Sequence, residues 1–189
     1  MDHDVVWQAW DEPGLEHLRV VEDANSVIAD SLLLRVFDGR PVRMRYRVQL
    51  DSGWRVREAD VDVWDPEQRR LRLRSDGEGN WFDADGLPLT NLRGCIDIDL
   101  TATAFTNTLP IRRLGLQPGD ARIIDVVYIH VPELTVEAVQ QRYTSLEQGP
   151  DGARYRYEGL GTGYQTELEV DAAGFVLDYP DLFRRVALK

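Results

Sequence analysis

The sequence predicts a mainly β (α+β) protein, a large curved antiparallel sheet wrapped around a single central helix. Three observations lead there. Apolar and polar residues alternate with a period of two over most of the 189 residues. Turn dipeptides recur at short intervals, at Pro13-Gly14, Asp38-Gly39, Asp76-Gly77, Asp85-Gly86, Pro118-Gly119, Asp151-Gly152 and Ala173-Gly174. Only one stretch reads well as helix, and a many-stranded sheet with one apolar face must curl to bury it.

The first strands are expected at Val5–Trp10, Glu16–Glu22 and Ser26–Phe37. The clearest alternation follows at Pro41–Leu50, with Met44, Tyr46, Val48 and Leu50 facing one way and Arg43, Arg45 and Arg47 the other. Turns at Asp51-Ser52-Gly53 and Asp65-Pro66-Glu67 then carry the chain through Trp54–Trp64 to a strand holding Leu71 and Leu73, which makes a three-strand meander. Shorter strands are expected at Asn80–Asp83 and Ile96–Leu100. Thr101–Leu114 is the helical segment, with Thr103 as a cap, Phe105, Leu109 and Ile111 as its apolar side, and Pro110 as an expected interruption. Beyond Arg122–Val131, the segment Leu134–Leu146 fits either period, and its β-branched residues tip it towards strand. The last strands are Arg154–Glu158, Tyr164–Val170, Phe175–Tyr179 and Phe183–Leu188. No linker or repeat divides the chain, so residues 1–189 are expected to form one domain.

Composition narrows the function. Acids outnumber bases 33 to 22, for a net charge of −11, which disfavours nucleic acid and anionic membranes as partners. The single cysteine, Cys95, closes no intrachain disulfide, and the start MDHDVVWQAW has neither a basic region nor an apolar run, so the expected compartment is cytoplasmic. The unbroken apolar runs are short, of the size of Val126-Val127-Tyr128-Ile129, far from the ~20 residues that cross a bilayer. All basic residues except Lys189 are arginines, and Arg43, Arg45 and Arg47 are expected to meet Glu58, Asp60 and Asp62 across the sheet.

The densest polar constellation runs from Gly94 to Leu114. On a strand, Asp97 and Asp99 project from one face, about 7 Å apart. Carboxylates that close repel unless donors or cations offset them, and Asn107, Arg112 and Arg113 stand a few residues on. Such a pair either holds the helix to the sheet through ion pairs or hydrogen-bonds sugar hydroxyls. Trp54, Trp64, Trp81, Tyr143 and Tyr155 would supply flat faces for a sugar ring, unless they are core. A glycoside hydrolase with Asp97 and Asp99 as acid and base is the alternative, ranked lower because parallel side chains on one strand do not straddle a bond. His3, His17 and His130 show no metal-ligand spacing, Cys95 reads as a buried small residue, and Gly159–Gly163 as a turn. No cofactor is implied.

Gly94-Cys-Ile-Asp-Ile-Asp-Leu100 together with Thr106-Asn-Thr-Leu-Pro-Ile-Arg-Arg-Leu114 resembles the signature of the putative glycolipid-binding family of bacterial proteins. Trp54-Arg-Val-Arg57, Gly79-Asn-Trp81, Val131-Pro-Glu-Leu134, Gln141-Arg-Tyr-Thr144 and Asp178-Tyr-Pro-Asp-Leu-Phe183 extend the likeness along the chain. Ala104 departs from it, standing where a proline is expected. The resemblance implies a sheet wrapped around one helix, distantly like the half-barrels of bacterial lipoprotein carriers, with an acidic pocket, a homodimer and a role in glycolipid metabolism or transport. Asp97 and Asp99 would contribute to that pocket, Asn107, Arg112 and Arg113 would support it, and Glu16 would join them. A non-catalytic structural or interaction module remains the third reading.

Overall fold

The computed structural model describes residues 1–10, 12–65 and 67–186. Among the described residues fourteen strands form one sheet in the order β7-β6-β5-β4-β3-β2-β1-β14-β13-β12-β11-β10-β9-β8. Its first half is a run of hairpins, β1 (Asp2–Ala9), β2 (Gly14–Glu22), β3 (Ser26–Phe37), β4 (Arg40–Asp51), β5 (Val56–Asp65) and β6 (Glu67–Ser75). Two short terminal strands, β7 (Trp81–Phe82) and β8 (Asp97–Leu100), stand at opposite ends. The second half comprises β9 (Ala121–His130), β10 (Thr135–Gly149), β11 (Gly152–Gly159), β12 (Tyr164–Asp171), β13 (Val176–Tyr179) and β14 (Phe183–Val186), and β14 pairs back onto β1. The turn expected at Asp65-Pro66-Glu67 and the end of the strand expected at Phe183–Leu188 lie partly outside the described residues.

Alternation decides which face is buried. Val42, Met44, Tyr46, Val48 and Leu50 of β4 are all at most 2% exposed, and each large aliphatic side chain so buried stabilises the fold by about 1.5–3 kcal/mol. At the β3–β4 turn Asp38 and Gly39 both take positive φ, 48° and 74°, as a tight turn matched to the strand twist requires. The arginines interleave differently from the expected pairing. Arg45 and Arg47 reach back to Asp30 on β3, while Asp60 and Asp62 of β5 pair with Arg72 and Arg70 of β6. Asp30 thus pairs towards β4, and Asp60 and Asp62 towards β6, and such half-exposed pairs contribute about 0–1 kcal/mol apiece.

The sheet is antiparallel except at β8–β9, which run parallel. Residues 101–120 supply the long crossover a parallel pair needs, and they hold the helix. A short 3-10 turn at Phe105–Asn107 leads into α1 (Thr108–Leu114), and the Oγ1 of Thr103 accepts the Phe105 N–H at 3.0 Å. Pro110 does not interrupt α1, because it sits in the first turn, where its missing N–H has no helical acceptor to lose. Gly115 ends the helix in the left-handed region at φ 55°. Leu134–Leu146 resolves as strand, since β10 pairs with β9 on one side and β11 on the other.

The helix lies inside the curve. Phe105 and Leu109 are fully buried, and the Phe105 ring stacks between Tyr46 of β4 and Phe175 before β13, with ring centroids 6.2 and 6.4 Å away. The ends of the sheet approach each other, since Arg69 of β6 donates to the Pro132 carbonyl beyond β9 at 3.1 Å. The segment before β8 closes the remaining seam: the Gly94 N–H bonds to the Gly79 carbonyl at 2.9 Å, and Trp81 Nε1 to the Cys95 carbonyl at 2.7 Å.

Candidate functional site

Strand β8 places Asp97 and Asp99 on one face, as period two dictates, but in different surroundings. Asp97 is fully buried, and Arg113 donates to it from Nε at 3.0 and 3.2 Å and from Nη2 at 2.5 Å. Asp99 is half-buried. Thr106 Oγ1 donates to its Oδ1 at 2.9 Å, and Gln141 Nε2 to its Oδ2 at 2.6 Å. Burial pushes both carboxyls above the usual aspartate range; the Arg113 guanidinium opposes the shift at Asp97, and the Gln141 and Thr106 donors oppose it at Asp99.

The helix residues divide their work. Asn107 is buried and accepts the Tyr143 hydroxyl on its Oδ1 at 2.9 Å. Adjacent helical side chains diverge by about 100°, and Arg112 turns away from Arg113. It donates to the Ala173 carbonyl at 2.9 Å and to Glu22 at 3.2 Å, with its guanidinium 4.5 Å from the Trp54 ring centre. That ring is therefore already covered. Trp81 and Tyr143 are each 1% exposed, and Tyr155 is buried too, so these flat faces line the core. Trp64 lies on the outer face of the sheet, within a groove that also holds Leu32 and Leu34.

Glu16 forms a second acidic centre. It is buried on β2, and its Oε1 accepts both Tyr46 Oη at 2.6 Å and Ser31 Oγ at 2.8 Å, while its Oε2 has no hydrogen-bond partner among the described residues. Burial raises its pKa, against the hydrogen bonds from Tyr46, Thr103 and Ser31 and the charge of Arg35. None of its hydrogen bonds reaches the β8 aspartates.

Around Asp99 the structure gathers, besides Tyr143, tyrosines that the sequence did not single out. The Tyr157 ring of β11 lies 5.5 Å from Tyr143, 6.2 Å from Tyr164 and 6.4 Å from Tyr179. Tyr164 is 41% exposed, so the cluster runs from solvent into the core. Burial first, and the negative charge of Asp99 besides, push up the phenols of Tyr128, Tyr143, Tyr157 and Tyr179 from an ordinary value at which they are already protonated at neutral pH. Gln141 and Tyr179 do fall inside stretches that carry the family likeness, and that was their only local signal. Among the described residues no group of three His, Cys, Asp or Glu stands ready to hold a metal, and Cys95 is a buried thiol pushed up to about 11 by burial.

Asp99 and its tyrosines can accept and donate hydrogen bonds beside aromatic faces. Asp97, closed off against Arg113, adds charge balance and no second oxygen at the surface. A single sheet wrapped around one buried helix, with an Asp-x-Asp strand latched to that helix by arginine, defines a class of mainly β protein. Residues 4–185 match the family model described as "Putative glycolipid-binding", and the chain belongs to that family. A crystal structure of a DUF1089 family protein from Pseudomonas aeruginosa is similar at TM-score 0.83, with 38% identity over 92% of each chain. No curated protein matches the sequence. No helix among the described residues is long and apolar enough to cross a membrane.

Proposed function

We propose that the protein binds the sugar portion of a glycolipid or a similar sugar-bearing amphiphile at Asp99, in a role in glycolipid metabolism or transport. The observation that carries this reading is Asp99 itself, a half-buried carboxylate held by Thr106 and Gln141, with a tyrosine cluster that runs from Tyr143 in the core through Tyr157 to the exposed Tyr164. An ionised carboxylate accepts from neighbouring sugar hydroxyls, the half-buried Tyr128 phenol donates to them, and the exposed Tyr164 offers a ring face. Asp97 and Arg113 hold the strand of Asp99 to the helix, and Asn107 fixes Tyr143 behind it. Hydrolysis is not favoured, because Asp97 is taken up by Arg113 and inaccessible. The family name supports a glycolipid partner. A homodimer acting in the cytoplasm is also part of the proposal, and light scattering should then return about twice the 21.6 kDa chain mass.

The test is calorimetric titration with methyl β-glucoside, β-galactoside and α-mannoside, none of which carries an alkyl chain. At least one should bind, and Asp99→Asn should weaken it tenfold or more, matching a lost charge-assisted hydrogen bond of about 1.5–3 kcal/mol. A melting temperature unchanged within a few degrees should accompany that loss. Equal affinity in both proteins, or a collapsed fold with binding intact in the remainder, would give Asp99 a structural role instead.

A further inference from the structure

We propose that the outer face of the sheet binds a free single-chain anionic amphiphile of the fatty-acid type, its alkyl chain along β2 and β3 and its head group on Arg43. A groove of about 590 Å³ opens there, lined by Leu15, His17, Leu32, Leu34, Arg43 and Trp64. That volume falls within the 300–1,000 Å³ of ordinary ligand sites. The register explains the groove. Leu15 stands opposite Leu34, His17 opposite Leu32, Leu34 opposite Arg43, and Arg43 opposite Trp64. Positions that face water on an antiparallel sheet are normally polar, yet Leu15, Leu32 and Leu34 are 55%, 62% and 57% exposed.

Arg43 decides the occupant. Arg45, Arg47, Arg70 and Arg72 on the same face all pair with carboxylates. Among the described residues no carboxylate lies within 4.0 Å of Arg43, which sits between Leu34 and Trp64 instead. An apolar groove with one unpaired cation matches an alkyl chain with one negative charge. A second copy docking through the same patch about a two-fold axis would bury two Arg43 cations in one apolar contact. An anionic bilayer would repel a chain of net charge −11, so the fitting ligand is a dispersed amphiphile. The cavity beside Glu16 is about 10 Å³, the room of one water, and the cavity of about 370 Å³ at the end of the helix, which includes Ile111, Arg112 and Gln148 in its lining, lacks the row of exposed leucines.

Sodium dodecanoate below its micelle concentration is the probe, compared by calorimetry with uncharged dodecyl dimethylamine oxide at pH 8. Dodecanoate should bind at least tenfold tighter. Arg43→Gln and Leu34→Ser should each weaken it about tenfold, Arg43→Lys should restore most of the affinity, and Asp99→Asn should leave it unchanged, which separates this site from the sugar reading. Both sites of change are exposed, and circular dichroism confirms the fold of each variant. No dodecanoate binding, or equal affinity in wild type, Arg43→Gln and Leu34→Ser, overturns the proposal. So does a halved particle mass in Leu34→Ser with dodecanoate affinity unchanged, which would assign the groove to a second copy. Sedimentation with dioleoylphosphatidylglycerol vesicles in the absence of dodecanoate binding would assign it to a membrane surface.

Discussion

Arg113 closes on Asp97 with two nitrogens of its guanidinium fork, and Asp97 has no contact with water at all. This pair ties the last turn of α1 to strand β8. The cation also stands at the carboxyl end of the helix, where the backbone dipole favours positive charge.

Removing the fork strands a carboxylate in the interior. Arg113→Met should therefore cost about 3–5 kcal/mol in urea unfolding at pH 7. Arg112→Met loses a half-exposed pair with Glu22 and a stacking contact with Trp54, and should cost about 1–2 kcal/mol. Adding Asp97→Asn to Arg113→Met should recover part of the loss, since it removes the unpaired charge. Equal, small effects of the two arginine changes would show that no buried ion pair holds the helix.

The seam between the sheet ends rests on close backbone approach. Gly79 has φ 91°, and a Cβ built on it would stand 3.0 Å from the Gly94 Cα. Gly86 has φ 82° with open space around it. Both alanine variants carry the backbone strain of positive φ, about 1 kcal/mol. Gly79→Ala adds a clash with main chain and should lower the melting temperature several degrees further than Gly86→Ala. Matching melts for the two would mean that the seam is loose.

The alternation in β3 to β6 was legible because it is local: each residue's neighbours along the strand already state its face. Asp97 and Asp99 were legible for the same reason, as an i, i+2 pair. Which of them meets water was not, because that depends on Arg113 and Gln141, 16 and 42 residues away. The aromatic residues misled in one direction. Trp54 and Trp81 look like sugar platforms in sequence, yet one is covered by Arg112 and the other donates to the Cys95 carbonyl inside the core. Tyr157, Tyr164 and Tyr179 converge only through pairings along the β11–β12–β13 ladders. The helix was placed correctly in its second half, where Leu109 and Ile111 mark the apolar side. Its start shifted because Thr103 caps a 3-10 turn at Phe105 and not an α-helix.

Glu16 should make stability fall as pH rises. Burial sets its folded pKa above the unfolded value of about 4.3, so the native state binds the extra proton in the interval between the two. The contribution is fully present below about pH 4.3 and is lost as pH climbs through the raised folded value. Glu16→Gln keeps an oxygen for Ser31 and Tyr46 but cannot ionise, so it lacks this contribution while keeping those of the raised Asp97 and Asp99. Urea unfolding of both proteins from pH 4.5 to 8 measures the difference. The stability of Glu16→Gln relative to wild type should rise with pH, by at most about 1.4 kcal/mol per unit. Parallel curves for the two proteins would mean that Glu16 titrates as it does in the unfolded chain, and that its Oε2, unpaired beside the small cavity, is solvated after all.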